Sequence, residues 1–236
     1  PSLSGLASKG KMEELKETIS FTFRLVSFIS IPAMVGLIAL KTPIINLYLQ
    51  RGVFDYYATE MTVKALLCYS VGLWAIAGVR VIVPAFYSLQ DTRTPLKIAL
   101  ICLGANVILN SILIFPLKHA GLALATSLSS ILNLVLLSRG LNIKLGGMDV
   151  KKNIHSLLRI LLCSLPMGLV AYLICSLGNW TVPGNVIEKV FLLGLGIVTG
   201  LGVYLLGSYW MKNEETLLLL KMIKNRWDRL LFYKRS

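Results

Sequence analysis

Six apolar runs stand out from a polar background, at residues 21–40, 65–89, 98–117, 120–137, 157–177 and 190–210. Each is about long enough to cross a hydrocarbon layer as a helix. Hydrophobic residues make up 56% of the chain and its mean hydropathy is +0.73, which leaves no room for a soluble domain. The pattern predicts an all-α, polytopic membrane helix bundle with six transmembrane helices, because only a helix or a closed barrel satisfies its own backbone in lipid. The polar stretches divide the chain into a connector at 1–19, four membrane helices within 20–140, a last helix pair within 141–211, and a basic tail at 212–236.

Charge orders these runs. Of the 24 lysines and arginines, seventeen lie at the start, in the 91–97 link, in the 139–159 stretch, whose last residue Arg159 just enters the fifth run, or in the tail; five lie in the alternate connections, and Arg24 and Arg80 lie within the first and second runs. Those five are Lys41, Arg51, Lys64, Lys118 and Lys189. Cationic segments are disfavoured for translocation, so the asymmetry predicts that both termini of this segment face the cytoplasm. The net charge of +13 is then a matter of topology and attraction to anionic lipid, not of nucleic-acid binding, for which too little aqueous surface is available.

The two ends carry their own expectations. The opening PSLSGLASKGKMEELKETIS has neither an initiator methionine nor a signal peptide, and reads as a cytoplasmic connector from an earlier helix, amphipathic over 11–20. The tail alternates Leu217, Leu218, Ile223, Trp227 and Leu231 with Lys221, Lys224, Arg226 and Arg229, the pattern of a basic helix lying on the membrane surface.

Little in the chain suggests bond-making chemistry. Cys68, Cys102, Cys163 and Cys175 all sit in apolar runs without CxxC spacing, so they read as packing residues, and no metal or other cofactor is expected. His119 and His155 lie at interfaces without a partner in sequence. All eleven acidic residues fall in links, at interfaces or in the tail. An ion-coupled antiporter ordinarily needs a carboxylate inside the membrane, and a prenyl-diphosphate enzyme needs a cluster of them for magnesium. No GxxxxGK[ST] segment marks a nucleotide-driven pump.

The polar residues inside the spans are the candidate site. Arg24, near the basic end of its span, either snorkels to the headgroups or serves a ligand. Arg80 is about nine residues, or roughly 13 Å, from the end of its run, too deep to face lipid without a cost of a few kcal/mol. It is expected to face protein or a watery cavity that presents a guanidinium to an anion. Asn106 and Asn110 are one turn apart, and Thr126, Ser130 and Asn133 share a face of the next span; each set either lines the same space or bonds between helices. Pro32 and Pro84 interrupt two spans, and small residues at four-residue spacing (Gly121, Ala125, Ser129; Gly196, Gly200) mark close helix contacts. The turn Gln90, Asp91, Thr92, Arg93, Thr94, Pro95 reads as a capped connection, with Asp91 or Thr94 as cap and Pro95 in the first helical turn; it is either a gate or a tight connector.

The stretches RVIVPAFYSLQDTRTPLKIAL (80–100) and PLKHAGLALATSLSSILN (116–133) resemble the MurJ/MviN lipid II flippases, members of the multidrug, oligosaccharidyl-lipid and polysaccharide exporter superfamily. PSLSGLA, RLVSFISIPAMVGL and RGVF match in the same order, and the likeness is strongest up to Arg139. The resemblance implies a fourteen-helix transporter with a cationic central cavity, of which this segment would hold the last six helices. It implies a groove for a polyprenyl tail formed by the final helix pair. It also implies that the cargo is an undecaprenyl-diphosphate-linked peptidoglycan precursor, moved across the bacterial inner membrane among membrane lipids by alternating access. On that resemblance Arg80 matches a basic position and residues 90–95 a cytoplasmic loop. A related exporter of lipid-linked polysaccharide units or drugs is the alternative, and a membrane prenyl-phosphate enzyme a more distant one.

Overall fold

A computed structural model describes residues 3–49, 56–180, 184–211, 213, 215 and 216. It consists of a short helix α1 (Leu3–Ser8) and six long ones: α2 (Met12–Leu49), α3 (Tyr56–Ser88), α4 (Arg93–Leu117), α5 (His119–Lys144), α6 (Val150–Cys175) and α7 (Val186–Trp210). No strand occurs among the described residues, and each of the six long helices is long and apolar enough to cross a membrane. The tail over 217–236 and Arg51 to Phe54 lie outside the described residues, so the surface-helix expectation falls there.

The helices run longer than the apolar runs that announce them. α2 absorbs the second part, residues 12–19, of the connector expected at 1–19: its 38 residues span about 57 Å, well beyond a hydrocarbon layer of about 30 Å. Sequence explains the extension. Glu13 and Glu14 occupy the first turn, where the helix dipole favours negative charge. Leu15 and Ile19 on the same stretch are fully buried in a cluster with Ile82, Phe86, Leu137 and Leu141 of α3 and α5. The charged residues of the connector therefore coat one face of a helix whose other face is core.

In space the order is α4, α5, α3, α2, then the α6–α7 pair, each packed on its neighbour, with α7 also touching α2. Lipid tails are as apolar as leucine, so such contacts are driven by close approach rather than by exclusion of water. The α3–α5 crossing shows this most directly. A Cβ on Gly72 would lie 2.6 Å from the Ser127 hydroxyl oxygen, and that hydroxyl donates at 2.6 Å to the Cys68 carbonyl of α3. Gly121 plays the same part where α4 turns into α5, since a Cβ there would meet the Leu113 carbonyl oxygen at 2.1 Å. The expected small-residue faces are packing faces: Gly121, Ala125 and Ser129 are buried on α5, and Gly196 and Gly200 lie against Ala171 and Met167 of α6.

Candidate functional site

The candidate residues do not converge on one cavity within this segment. Asn106 donates to the Ser129 hydroxyl at 3.0 Å, and Asn110 donates to the Asn106 carbonyl oxygen at 2.9 Å, so these two asparagines form a polar seam between α4 and α5. Asn133 lies one turn beyond Ser129 on α5, and its carbonyl oxygen, like that of Asn110, is buried without a donor. Buried acceptors of this kind are uncommon, because an unmet hydrogen bond in a low-dielectric setting costs about 1–3 kcal/mol.

Arg24 is buried within the protein and borders a small polar cavity. It is 5% exposed, and its Nε donates at 3.1 Å to Glu215, itself 2% exposed, which also accepts from Ser156 at 3.2 Å. Arg24 thus ties α2 to α6 and to the segment that follows α7. The partner was out of reach of sequence reasoning because 191 residues separate the two. At the opposite end of the bundle Lys189, counted from sequence as a loop cation, is 5% exposed. Its ammonium donates to the Asn46 side chain at 2.9 Å and stands 5.8 Å over the Trp180 ring, while Asn46 donates to the Trp180 carbonyl at 2.6 Å.

Between these two pins α2, α6 and α7 enclose an apolar groove of about 590 Å³. Its walls include Pro32 and Gly36 of α2, Met167 of α6, and Gly200 and Tyr204 of α7. Pro32 has no N–H to give to the carbonyl four residues earlier, that of Phe28. The Tyr204 hydroxyl supplies the missing donor at 2.7 Å. One tyrosine therefore satisfies a backbone group freed by proline and holds the groove's two sides together. Of the residues in this groove, Gly196 and Gly200 read from sequence as packing residues and Pro32 as an interruption of its span.

Arg80 is exposed on α3, opposite the face that carries Gly72, Ala75, Gly78 and Ile82 into the core. Tyr69, Pro84 and Tyr87 share its exposed stripe. Pro84 cannot donate to the Arg80 carbonyl, so side chain and backbone both leave this spot polar on an otherwise apolar helix. Eight residues further on, α3 ends in a left-handed cap. Gln90 has φ +57°, and the N–H groups of Gln90 and Asp91 reach back to the carbonyls of Tyr87 and Phe86. Asp91 then accepts from the Thr94 N–H at 3.0 Å and the Thr94 hydroxyl at 2.7 Å, starting α4 with Pro95 in its first turn. Lys144, from the end of α5, bonds the same carboxylate. That ammonium first, and the Thr94 donors second, hold the Asp91 carboxyl well below the usual carboxylate range. Thr92 and Arg93 lie within this turn, which is fixed at both its helix ends. No group of three or more His, Cys, Asp or Glu side chains among the described residues could hold a metal ion.

Comparison with known proteins places these features in context. Residues 1–191 match the profile described as lipid II flippase MurJ. A probable lipid II flippase MurJ of Vibrio cholerae is 31% identical over 90% of this chain and 41% of its own length. That of Rickettsia prowazekii is 30% identical over 90% of this chain and 42% of its own. A solved structure, a lipid II flippase MurJ in an inward closed conformation, superposes with a TM-score of 0.71 at 28% identity, over 90% of this chain and 42% of that one. The chain therefore spans about two fifths of the length of the relatives it matches.

Proposed function

Because the chain belongs to the lipid II flippase MurJ family, we propose that it supplies the last six helices of a fourteen-helix transporter, not an enzyme, which flips an undecaprenyl-diphosphate-linked peptidoglycan precursor across the bacterial inner membrane by alternating access. The observation that carries this reading is the groove of α2, α6 and α7 in a chain of that family. It is apolar along its length, lies among membrane-spanning helices and is open on one side, as an isoprenoid tail requires. The tail rests there while the anionic head passes elsewhere.

Arg80 is the residue assigned to that head. It is a lone cation in the middle of an apolar helix, on a face left uncovered within this segment, and a guanidinium matches a diphosphate bidentately. The Asn106, Asn110 and Asn133 seam supplies polar contacts that α4 and α5 exchange as the lobe moves. Arg24 is reassigned from ligand contact to bracing α2, since its guanidinium is engaged by Glu215. The turn at Gln90 to Pro95 serves as a stiff pivot rather than a gate, because both of its helix ends are capped. The basic end of the bundle lies in the cytoplasm, as positive charge retained on that side requires. Cysteines placed at Thr92 and Asp149 are expected to resist an impermeant reagent from outside, and those at His119 and Asn185 to react; the reverse pattern sinks the orientation.

The functional test uses the full-length protein in cells depleted of their own flippase, reading outer-leaflet lipid-linked precursor together with membrane abundance. Restored export supports the assignment, and none at normal abundance overturns it. Within that assay Arg80→Lys is expected to retain partial export, Arg80→Ala less, and Arg80→Glu least, because a carboxylate would face the diphosphate in a poorly screened space. Normal export by Arg80→Glu at normal abundance removes Arg80 from the site while leaving the family function standing.

A further inference from the structure

α5 and α6 follow one another in the chain but do not pack together, because α5 lies on α3 and α4 while α6 lies on α2 and α7. The crevice left between them, about 430 Å³, is floored by α2 and α3 and shares no lining residue with the groove of α2, α6 and α7. Its character changes with depth. Phe23, Trp74, Leu134 and Leu157 line the inner end, whereas Arg139 and Asn153 line the end nearer the connection of α5 to α6. Trp74 is fixed in place, its ring 6.2 Å from that of Phe23 and edge-on to it, with its Nε1–H donated to the Ser27 hydroxyl at 2.9 Å. The outer end is fixed too: the Asn142 side chain accepts from the Met148 N–H at 2.6 Å and ties the connection back to α5. Val135 and Ile154 on the rim are exposed, so the crevice opens sideways, towards lipid.

Two polar groups stand unmatched at the outer end. Arg139 is exposed and forms no ion pair among the described residues. The Asn153 side-chain oxygen is buried with no donor, and its amide nitrogen is held by Ser20 at 3.4 Å, long enough for the amide to turn towards the crevice. A guanidinium calls for an anion and an amide oxygen for a donor, so the complementary headgroup carries both. The inner end calls for hydrocarbon, since an empty apolar space forfeits dispersion contacts on every wall. We infer that this crevice holds a phosphatidylethanolamine molecule, one acyl chain along Leu134 and Leu157, its phosphate on Arg139 and its ammonium donating to Asn153. The lipid belongs to the leaflet at the basic end, and it joins α5 to α6 where the chain itself leaves a gap.

The experiment takes the delipidated full-length protein in neutral detergent and measures, by native mass spectrometry, retention of dioleoyl phosphatidylethanolamine, phosphatidylcholine and phosphatidylglycerol. The thermal midpoint of the lipid-free protein checks that each variant folds. Phosphatidylethanolamine is expected to bind about tenfold more tightly than phosphatidylcholine, which has the same net charge and the same phosphate but no N–H. Asn153→Leu is expected to remove that preference by weakening phosphatidylethanolamine alone, which a merely structural amide would not do. Arg139→Gln is expected to weaken both lipids about tenfold, through the phosphate they share. Val135→Trp fills the crevice from its exposed rim and is expected to weaken both at least as much; should it lower the lipid-free midpoint, Ile154→Trp enters from the α6 side instead. Lys97→Gln removes an exposed charge at the same end of the bundle, outside the crevice, and is expected to change binding by less than about twofold. No preference over phosphatidylcholine, tighter retention of phosphatidylglycerol, or a preference that survives both Asn153→Leu and the filled crevice overturns the inference.

Discussion

The contact of α3 with α5 and the contact of α2 with the α6–α7 pair solve the same problem in opposite ways. The first is filled: Gly72 admits Ser127 to the backbone of α3, and nothing wider than a hydroxyl separates the helices. The second is pinned at its ends, by Arg24 with Glu215 on one side and by Lys189 with Asn46 and Trp180 on the other, and stays open between them. A filled seam stores its stability in every contact, so the space cannot also hold a ligand. A pinned seam concentrates it in a few polar bonds and keeps the middle free.

The largest expected effect follows from that concentration. Arg24→Leu or Glu215→Leu alone breaks an ion pair that is almost wholly buried, and breaking such a pair costs about 3–5 kcal/mol. The double variant is expected to recover part of the loss, since the pair itself is then replaced by apolar side chains. Thermal midpoints of the full-length protein in detergent measure this. A double variant as unstable as the singles would show that the pair matters for its packing and not for its charges.

The filled seam is expected to fail by crowding instead. Gly72→Ala places a methyl at 2.6 Å from the Ser127 hydroxyl oxygen and is expected to cost about 1–3 kcal/mol, because α3 and α5 must separate. Gly202→Ala on α7, where a Cβ meets nothing within 4 Å, is expected to be neutral or stabilising by up to about 1 kcal/mol through helix propensity. Equal effects at the two positions would remove the distinction between the seams.

In the open middle, Tyr204→Phe is expected to cost about 1–2 kcal/mol, as the Phe28 carbonyl loses the donor that stands in for the missing N–H of Pro32. Restoring the amide with Pro32→Ala is expected to make the loss of the hydroxyl nearly harmless. A double-mutant cycle showing no coupling between the two positions would refute that link.

These two seams also mark what was legible in the chain. The six spans, their alternation and the basic end follow from apolar length and charge, which are local properties, and the small-residue faces follow from four-residue spacing. Arg24 with Glu215 and Lys189 with Asn46 pair across 191 and 143 residues, and nothing near either cation announces its partner. Arg24, read from sequence as close enough to the span end to reach the headgroups, is instead buried against a carboxylate beyond the last span. The extension of α2 was missed for a related reason: its charged residues mask Leu15 and Ile19, which only the folded neighbours α3 and α5 reveal as core.

The smallest effect belongs to a shallower ion pair, Lys144 with Asp91 at the α3–α4 turn. Lys144, then Thr94, keep the Asp91 carboxyl below its ordinary range of about 3.9. Above that range the carboxylate is charged in folded and unfolded chains alike, and its bonds contribute in full. As pH falls below it the unfolded chain takes up a proton first, and the contribution disappears as pH drops through the folded value. Asp91→Asn is therefore expected to lower the thermal midpoint slightly and evenly between pH 6 and 8, a range set by an acid of about 3.9 being ionised throughout. Below about pH 4 the gap between variant and unaltered protein should narrow, since protonation removes from the latter what the amide already lacks. Added salt is expected to shrink the gap at neutral pH as well, because Lys144 is partly open to solvent, whereas the Arg24 and Glu215 variants should hardly respond to salt. A gap at Asp91 that narrows at low pH but ignores salt would assign the role of this residue to the Thr94 bonds alone and leave Lys144 without a part in the turn.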